Sequence, residues 1–399
     1  MTLAAAIESR TAGAPARPKT SRIARVDILT DLAQAEPAWR ALEDQAQFST
    51  PYQRFDLLSR WQLLVGAREN AKPLIVVAFD SERRPLMVMP LALSHAHGVR
   101  VARFMGGKHT TFNMALWDRD FAREATGADL AELLSVLRKP SVADVLALTQ
   151  QPRHWHDILN PFTALPKQPC ANECPVLSMV PGDPPQNRIS SSFRRRLKGK
   201  ERKLQSPGFR YHVASDDADI DRLLNWFFRV KPMRMAEQKL PNVFAEPGVE
   251  QFIRNTCRAR NAGGGRVIDI HALECDDEVI AMFAGVADGH RFSMMFNTYT
   301  MSARSRYSPG LILMRNIIDH YAEQRYRALD LGIGSDDYKR LFCRGDEPIF
   351  DSFIALSARG HLAALAMSAF NRAKRLVKRT PALLQPAQIL RRALHFARA

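Results

Sequence analysis

Apolar residues follow strand and helix periods in turn along the first half of the chain. Residues 23–30 alternate apolar and polar positions, which predicts a strand, and residues 51–67 repeat apolar side chains three and four positions apart, which predicts a helix. Two apolar runs on either side of the charged turn 80–84 predict a β-hairpin. A strand ending at the glycine pair 106–107, a helix and a further strand complete this half.

The second half repeats this order of elements. A basic helix over 192–205, a strand and a helix containing Trp226 precede two apolar runs within 267–287, which are separated by an acidic turn. Two units in which helices come before a β-meander indicate a duplication. We therefore predict an α/β fold with two mixed sheets flanked by helices.

Seven prolines between residues 161 and 187 interrupt both periodicities, because proline fixes φ and removes a backbone donor. We predict a connector there. The predicted organisation is a disordered leader (1–22), an N-terminal domain (23–160), the proline-rich connector (161–187), a C-terminal domain (188–358) and a basic amphipathic helical tail (359–399).

Composition narrows the class of protein. The chain has 399 residues, 46% hydrophobic and 25% charged, which is typical of a globular protein with two or three domains. It has no run of about 18 apolar residues, and its first residues lack the order of a secretory signal. Five cysteines are an odd and sparse set, which excludes a secreted disulfide scaffold. We expect a reduced, cytoplasmic setting.

The net charge of +16 is concentrated in two segments. Residues 188–210 and 361–399 each carry a net charge of +8, so the remainder of the chain is balanced. Each segment fits either a solvated helix face or an anionic partner, namely cofactor phosphates, lipid headgroups or nucleic acid. Nucleic acid is the weakest of these, because base stacking needs aromatic residues and Phe193 stands alone between 188 and 208.

The tail combines its charge with an apolar side. The apolar residues that fall together at helical spacing are Leu362, Leu365, Ala366, Ala369, Phe370 and Ala373. Basic residues crowd the later turns of the same helix. It could lie in the headgroups of an anionic membrane, which would place the protein at the inner membrane face. Alternatively, it packs on the second domain with its charges in water.

The segment 294–343 carries the most specific chemistry. A predicted strand over Phe292–Tyr299 leads into a polar loop and then into Ser-Pro-Gly at 308–310, where a helix starts. Free N–H groups in the first turn of a helix attract an anion, and Arg304 and Arg306 could add contacts to a diphosphate. The alternative is an ordinary helix start with surface arginines.

The order strand, polar loop, Ser-Pro-Gly, helix and strand, followed by Asp-Leu-Gly at 330–332 and Tyr-Lys at 338–339, resembles the acyl-CoA core of the GNAT acetyltransferase superfamily. More narrowly, it is similar to the CelD-type branch, acetyltransferases associated with cellulose biosynthesis, which resembles the two-domain FemABX transferases. The resemblance covers about residues 23–358. It implies a duplicated GNAT-like fold and transfer from acetyl-CoA, or another acyl-CoA, to a polysaccharide precursor or similar envelope metabolite.

The resemblance also implies roles for individual residues. Acyl-CoA would lie along Met295, Phe296, Asn297, Arg304, Arg306, Ser308, Gly310 and Leu311. Asp330 and Asp337 would be candidates for the base that takes the acceptor's proton, and Tyr338 would protonate the departing thiolate. The residues expected to contact an acidic or phosphorylated acceptor are Lys231, Arg234 and Lys339.

The loop departs from the family pattern Q/R-x-x-G-x-G/A. Aligned on Gly310, the chain has Ser305 and Ser308 at the other two positions, so only the final glycine matches. Fewer loop N–H groups would then hold the pyrophosphate, and Arg304 and Arg306 would have to compensate.

The acids and their neighbours also have structural alternatives. Asp337 could form a helix N-cap pair with Asp336, and Asp330 could stabilise a turn at the end of a strand. Tyr338 and Lys339 could be plain packing and surface residues, and the basic residues near 231 a solvated helix face.

Two other functions fit the same sequence. A FemABX-like transferase would take its acyl group from aminoacyl-tRNA, held by the basic run 188–203. A non-catalytic adaptor at the inner membrane would keep the fold and use the tail as an anchor. We expect no metal, because no cysteine or carboxylate cluster completes a site around His154 and His156.

Overall fold

The chain folds into two mixed sheets flanked by helices, as predicted. The computed structural model describes residues 21–380, except 45, 46, 140, 141, 207 and 335, so most of the predicted leader and the tail beyond 380 lie outside the described residues. The helices are α1 (Leu32–Ala41), α2 (Phe55–Trp61), α3 (Arg119–Glu124), α4 (Gly127–Leu137), α5 (Pro185–Arg188), α6 (Ser191–Arg202), α7 (Asp217–Glu237), α8 (Val249–Arg258), α9 (Pro309–Glu323), α10 (Asp337–Arg340) and α11 (Ala358–Arg379). The strands are β1 (Arg25–Leu29), β2 (Lys72–Phe79), β3 (Pro85–Ala96), β4 (Val99–Phe104), β5 (Leu116–Trp117), β6 (Val145–Pro152), β7 (His154–Trp155), β8 (Ile158–Leu159), β9 (Gln168–Pro169), β10 (Pro175–Ser178), β11 (Arg210–Val213), β12 (Asp269–Cys275), β13 (Glu278–Ala287), β14 (Arg291–Tyr299), β15 (Ala328–Asp330), β16 (Gly345–Asp346) and β17 (Ile349–Ala355).

The first sheet has the strand order β1-β2-β3-β4-β6-β17-β9, with β5 beside β3. The predicted hairpin is β2–β3, in which Val77 lies opposite Val88. Consecutive residues of both strands are buried, because the sheet is covered on both faces, and this explains the continuous apolar runs in the sequence. Strands β4 and β6 run parallel, with Val101 opposite Val145.

The second sheet repeats this plan with the order β11-β12-β13-β14-β15-β10-β16. Its first four strands are antiparallel, and α9 then crosses over to β15, which runs parallel to β14 with Arg291 opposite Ala328. In the first sheet, α4 lies in the corresponding crossover between β4 and β6. The repeated plan confirms the predicted duplication.

Each sheet receives one strand from the other part of the chain. Strand β10, from the predicted connector, pairs with β15 in the second sheet, with Val176 opposite Asp330. Strand β17, from the predicted C-terminal domain, pairs with β6 in the first sheet, with Phe353 opposite Ala147. The pairing therefore crosses the domain boundaries predicted from the sequence. The connector can supply a strand because its proline stands at the first position of β10, where the ladder loses little.

One hydrophobic core joins the two halves. It contains Trp39 and Trp117 from the first half together with Phe227 and Phe252 from the second. Helix α8 of the second half packs against α2 of the first. All five cysteines of the chain are buried, unpaired thiols. Burial of shared apolar surface fixes the halves against each other.

Helix α6 confirms the predicted basic helix and accounts for part of its charge. Arg188, just before it, and Arg194 both pair with Asp319 of α9. The Nζ of Lys200 donates a hydrogen bond of 2.7 Å to the hydroxyl of Ser308. The remaining cations of this region are exposed, namely Arg195, Arg196, Lys198, Arg202 and Lys203.

Helix α11 docks on the first sheet. One of the two expectations from the sequence placed it on the second domain, and that expectation was wrong. Ala364 and Met367 pack with Val101, Val145 and Phe353 of the first sheet. The reason is that β17 precedes α11 and lies in the first sheet, so the helix returns over that sheet.

The opposite side of α11 is apolar and exposed. The large apolar side chains of this side are 62–74% exposed, and they are Leu362, Leu365, Phe370 and Leu376. We call these four residues the outer stripe of α11. Among the described residues, no helix combines the length and the apolar character needed to cross a membrane.

Candidate active site

Strands β14 and β15 lie side by side at one end and separate at the other. Their pairing joins Arg291–Ser293 to Ala328–Asp330 and then stops. Beyond this point β14 continues to Tyr299 with no described strand on its β15 side. A cavity of about 520 Å³ opens at the divergence. Backbone N–H and C=O groups on this edge of β14 can therefore bind an extended ligand.

A β-bulge in β14 lies beside the same cavity. Ala284 of β13 is opposite Phe296, and the next residue, Gly285, is opposite Met294, so Met295 has no partner. A bulge bends its strand and redirects the side chains around it. Met295 lines the cavity from this position.

Six residues predicted for the site line this cavity: Met295, Phe296, Asn297, Lys231, Tyr338 and Lys339. They come from β14, α7 and α10, which are distant in sequence. The ring of Phe296 packs against Phe227 at 5.0 Å and Phe244 at 6.4 Å between centroids, so this part of the wall is aromatic and rigid.

Tyr338 and Lys339 both line the cavity, but they differ in their hydrogen bonds and in the direction of their pKa shifts. The Nζ of Lys339 is buried and donates to the carbonyl oxygens of Gly332 (3.0 Å) and Ile333 (3.1 Å), so it holds the turn after β15. Burial lowers the pKa of Lys339. Burial also raises the pKa of the Tyr338 phenol, and the nearby Asp336 carboxylate adds to this, so the phenol is protonated at neutral pH.

Lys231 is held less tightly than Lys339. It reaches the cavity from α7, with its Nζ 5.7 Å from the centroid of the Phe244 ring. The pKa of Lys231 is lowered to about 8, mainly by burial and in part by the Arg234 charge, with the Asp336 carboxylate opposing the shift. Near pH 8 about half of the population carries a neutral amine, which can accept a proton.

The two predicted catalytic acids are not part of the cavity lining. Asp330 is fully buried, accepts a 2.9 Å hydrogen bond from the Nε of Arg291 and is also bonded to the hydroxyl of Ser293. This network fixes the junction where β14 and β15 pair. Asp337 is exposed at the start of α10, whereas its neighbour Asp336 lines the cavity.

The start of α9 lies at the far end of β14, outside the cavity lining. Ser308 has a left-handed φ of 58°, and its hydroxyl accepts the hydrogen bond from Lys200. Gly310 is buried, and a Cβ there would touch the Tyr299 ring at an ordinary 3.4 Å. The guanidinium of Arg234 lies 3.4 Å from the centroid of that same ring. Two cations thus lie close to the start of the helix, where Pro309 has no N–H and the N–H groups of Leu311 and Ile312 donate to the Ser308 carbonyl oxygen, which leaves the N–H of Gly310.

The two loop arginines differ in their partners. Arg304 pairs with Asp276 at 2.8 Å and with Glu278, so its charge is balanced within the chain. Arg306 is exposed, stacks on the tyrosine ring that follows it, and has no carboxylate partner among the described residues. Leu311 is partly buried against the core of the second sheet.

The first half supplies one wall of the cavity, which the sequence did not indicate. The lining residues from this wall include Lys108, His109, Thr110, Thr111 and Gln150. The Nε1 of Trp61 donates to the Nδ1 of His109 (3.1 Å), so a neutral ring carries its proton on Nε2. Burial lowers the pKa of His109 to about 4. The available signal was the glycine pair 106–107 followed by four polar residues.

One group of potential metal ligands occurs among the described residues, away from the cavity. Side-chain ligand atoms of His212, Asp219 and Glu274 lie within 4.8 Å of one another. Arg222 pairs with both carboxylates, and Arg210 pairs with Glu274 at 2.8 Å. The arginines balance the acids, so the group is an ion-pair network.

Residues 191–340 match the family model described as Acetyltransferase (GNAT) domain. The matched segment runs from α6 to α10 and includes β14, β15 and α9. The match to this domain in the second half, together with the fold, supports a GNAT-type acyltransferase. A search of curated proteins finds no match to the sequence.

Solved structures share the fold at low sequence identity. FemX matches with a TM-score of 0.54 and 9% identity, covering 82% of this chain and 96% of FemX. A conserved protein of unknown function from Bacteroides thetaiotaomicron matches with a TM-score of 0.52 and 10% identity, covering 84% and 100% of the two chains. The C-terminal domain of a protein described as a lysylphosphatidylglycerol synthetase, from Agrobacterium fabrum, matches with a TM-score of 0.50 and 11% identity, covering 85% and 95%. Each match extends over both halves.

Proposed function

We propose that the protein transfers an acyl group, an acetyl group in the simplest case, from acyl-CoA to an amine or hydroxyl of an acceptor. The observation that carries this proposal is the unpaired edge of β14 beside the cavity, where β15 diverges. A pantetheine arm would pair with that edge, and a backbone N–H there would polarise the thioester carbonyl.

The start of α9 would face the diphosphate of the donor. Its first turn offers the N–H of Gly310, since Pro309 has none and Leu311 and Ile312 donate to the Ser308 carbonyl oxygen. Lys200 and the exposed Arg306 of the preceding loop add positive charge for an anion. These cations replace the glycine N–H groups that the loop lacks. Arg304 contributes less than the sequence suggested, because its charge is already paired.

We assign proton transfer to Lys231 and Tyr338. As the acceptor nitrogen or oxygen bonds to the carbonyl carbon, neutral Lys231 takes the proton that the nucleophile loses. The carbon–sulfur bond then breaks, and the phenol of Tyr338, which lines the cavity, donates a proton to the thiolate. Asp330 would act only through the junction that it holds with Arg291.

The acceptor in this proposal is a polysaccharide precursor or a similar cell-envelope metabolite. The wall opposite β14 supports this, because hydroxyl and amide side chains can bind the hydroxyl groups of a sugar. The polar residues concerned are Thr110, Thr111, Gln150 and Asn172. The resemblance to the CelD-type branch agrees with such an acceptor.

Calorimetric titration with acetyl-CoA and CoA tests the donor. We expect micromolar binding by the wild type and its loss in Gly310→Trp, because an indole there would cover the start of α9. Gly127→Trp is the control, since a Cβ at Gly127 meets nothing within 4 Å and lies on α4. Unchanged binding in Gly310→Trp would move the donor away from α9, and a folded wild type that binds neither compound would contradict the proposal.

Aminoacyl-tRNA is a second candidate donor. The observation that favours it is the group of five exposed cations on and next to α6, none of which pairs with a described carboxylate. Binding of tRNA that weakens steeply with salt and is lost in Arg195→Gln/Lys198→Gln would support this donor. Absence of tRNA binding at low salt would exclude it.

We further propose a cytoplasmic protein whose outer stripe of α11 lies on an anionic membrane. Residues 358–379 hold six Lys/Arg and no acid, so the charge of the helix complements such a surface. Leu365→Glu/Phe370→Glu should abolish co-sedimentation with phosphatidylglycerol vesicles, whereas Ala131→Glu/Ser135→Glu on the exposed face of α4 should not. Vesicle binding by a chain that binds no acyl donor would favour an adaptor.

A further inference from the structure

A second cavity of about 460 Å³ lies between β9, β17 and α11. Four cationic side chains line it: Arg153, Lys167, Arg375 and Arg379. They come from three separate parts of the chain. Asn172 lines both this cavity and the one beside β14, so the two cavities adjoin.

The positive charge of this second cavity is not balanced within it. Among the described residues, no carboxylate forms an ion pair with any of the four cations. Three carboxylates also line the cavity, but arginines outside it hold them. Arg340 pairs with Glu173 at 2.7 Å and Asp346 at 2.9 Å. Arg291 pairs with Glu347 at 2.6 Å.

The side chain of Arg375 has a buried N–H group, at Nε, that lacks a hydrogen-bond acceptor among the described residues. It is not needed to dock α11, because Ser368 and Arg372 already donate to the Gln168 side chain at 2.8 and 3.0 Å. Leaving a buried guanidinium N–H without an acceptor is unfavourable, and an anionic oxygen in the cavity would satisfy it.

We propose that the second cavity is a binding site for a phosphate group, as a phosphomonoester or phosphodiester. Guanidinium groups bind two phosphate oxygens at once, and three arginines converge here from different elements. Because the cavities adjoin at Asn172, a phosphorylated acceptor would place its phosphate here and its nucleophile near Lys231. Only this last step rests on the proposed acyltransfer.

The test is calorimetric titration of the full chain with inorganic phosphate, without any acyl donor. Arg375→Gln/Arg379→Gln should weaken binding at least tenfold, since each lost contact is charge-assisted. Arg359→Gln/Lys374→Gln removes the same charge from the same helix outside the cavity, and its binding should stay within twofold of the wild type. Equal weakening of phosphate binding in both variants would contradict the proposed site, because it would show that binding depends only on the overall charge of the helix.

Vesicles of phosphatidylglycerol separate a lipid headgroup from a soluble phosphate. If the headgroup is the ligand, the Arg375→Gln/Arg379→Gln variant binds vesicles at least tenfold more weakly than the control variant, and inorganic phosphate competes. If the ligand is soluble, both variants bind vesicles alike while inorganic phosphate binding differs. No difference between the variants in either assay would overturn the proposal.

Arg153→Gln changes an exposed side chain that reaches the cavity from another element, so it replaces the double variant if that chain does not fold. Failure of acetyl-CoA binding would remove the proposed acyltransfer and leave phosphate binding intact, so the two proposals fail separately.

Discussion

Lys231 and Lys339 are the same residue type in the same cavity, and their neighbours give them different chemistry. Two carbonyl oxygens accept hydrogen bonds from Lys339, so its ammonium serves the turn after β15. Lys231 lies near the Phe244 ring and donates to no carbonyl oxygen of the described residues, and its pKa is lowered to about 8, mainly by burial. The sequence predicted both as substrate contacts, because sequence alone does not reveal which ammonium is already satisfied.

Substitution of Lys231 distinguishes a base from a simple positive charge. Because the base must be neutral, kcat/KM of the wild type should rise with pH up to about 8. Lys231→Met and Lys231→Arg should both lower kcat/KM by about 10²–10⁴, since a guanidinium stays protonated. The measurement is initial acyltransfer rate from pH 6 to 9.5. Retained activity in Lys231→Arg, with a wild-type rate that falls above pH 8, would show that only the charge matters.

His109 should make the fold sensitive to acid. Burial lowers its native pKa to about 4, and the unfolded value is about 6.5, so the unfolded chain binds more protons between these values and stability falls as pH falls. From pH 7 to pH 5 this amounts to about 2 kcal/mol. In His109→Gln the loss of unfolding free energy over that range, measured by urea denaturation, should be smaller by this amount. An identical pH dependence in both proteins would contradict the assignment.

At the scale of elements, the bulge in β14 depends on Gly285 of the neighbouring strand β13, and the bulge in turn shapes the cavity. A Cβ on Gly285 would lie 2.4 Å from the carbonyl oxygen of Ser293 and 2.5 Å from the ring of Phe292. Strand β13 can therefore approach β14 at the bulge only with a glycine. The periodicity of the sequence predicts both strands, but a bulge depends on the register between them.

Gly285→Ala should damage both the strand pair and the site. Relief of the clash requires a backbone shift, which should lower the free energy of unfolding by about 1–3 kcal/mol and weaken acyl-CoA binding. Urea denaturation and calorimetry measure the two effects. Gly127→Ala adds the same atom where nothing lies within 4 Å and should change neither by more than about 0.5 kcal/mol.

For the whole molecule, the exchanged strands and the shared core predict that the halves unfold as one cooperative unit. Strand β17 lies between β6 and β9 in the first sheet, although it follows the strands of the second sheet in sequence. Core residues from both halves pack together around α7 and α8. The predicted domain boundaries follow the duplication, whereas the pairing of β10 and β17 crosses them.

Phe350→Ala, in β17, tests this cooperativity. Its ring is buried in the core that the halves share, so the variant should lose about 3–5 kcal/mol of unfolding free energy. Circular dichroism and tryptophan fluorescence should still report a single shared transition. Phe370→Ala on the outer stripe of α11 is the matched control and should cost little. Two separate transitions would show that the halves unfold independently.

The sequence by itself determined the elements and their repetition. Apolar runs, the proline-rich connector, the basic helix and the Ser-Pro-Gly start of α9 are local patterns, and local patterns depend on neighbouring residues. For that reason the duplicated α/β fold and six cavity residues could be predicted, including Asn297 and Tyr338.

Only the tertiary structure decided which distant segments of the chain pair or pack against each other. It placed Asp330 in a buried ion pair, brought His109 to the cavity, exchanged β10 and β17, and turned the apolar side of α11 outward. Each of these depends on strand pairing or packing between residues far apart in sequence. The energies that select such pairings come from the whole set of contacts, and no segment carries them alone.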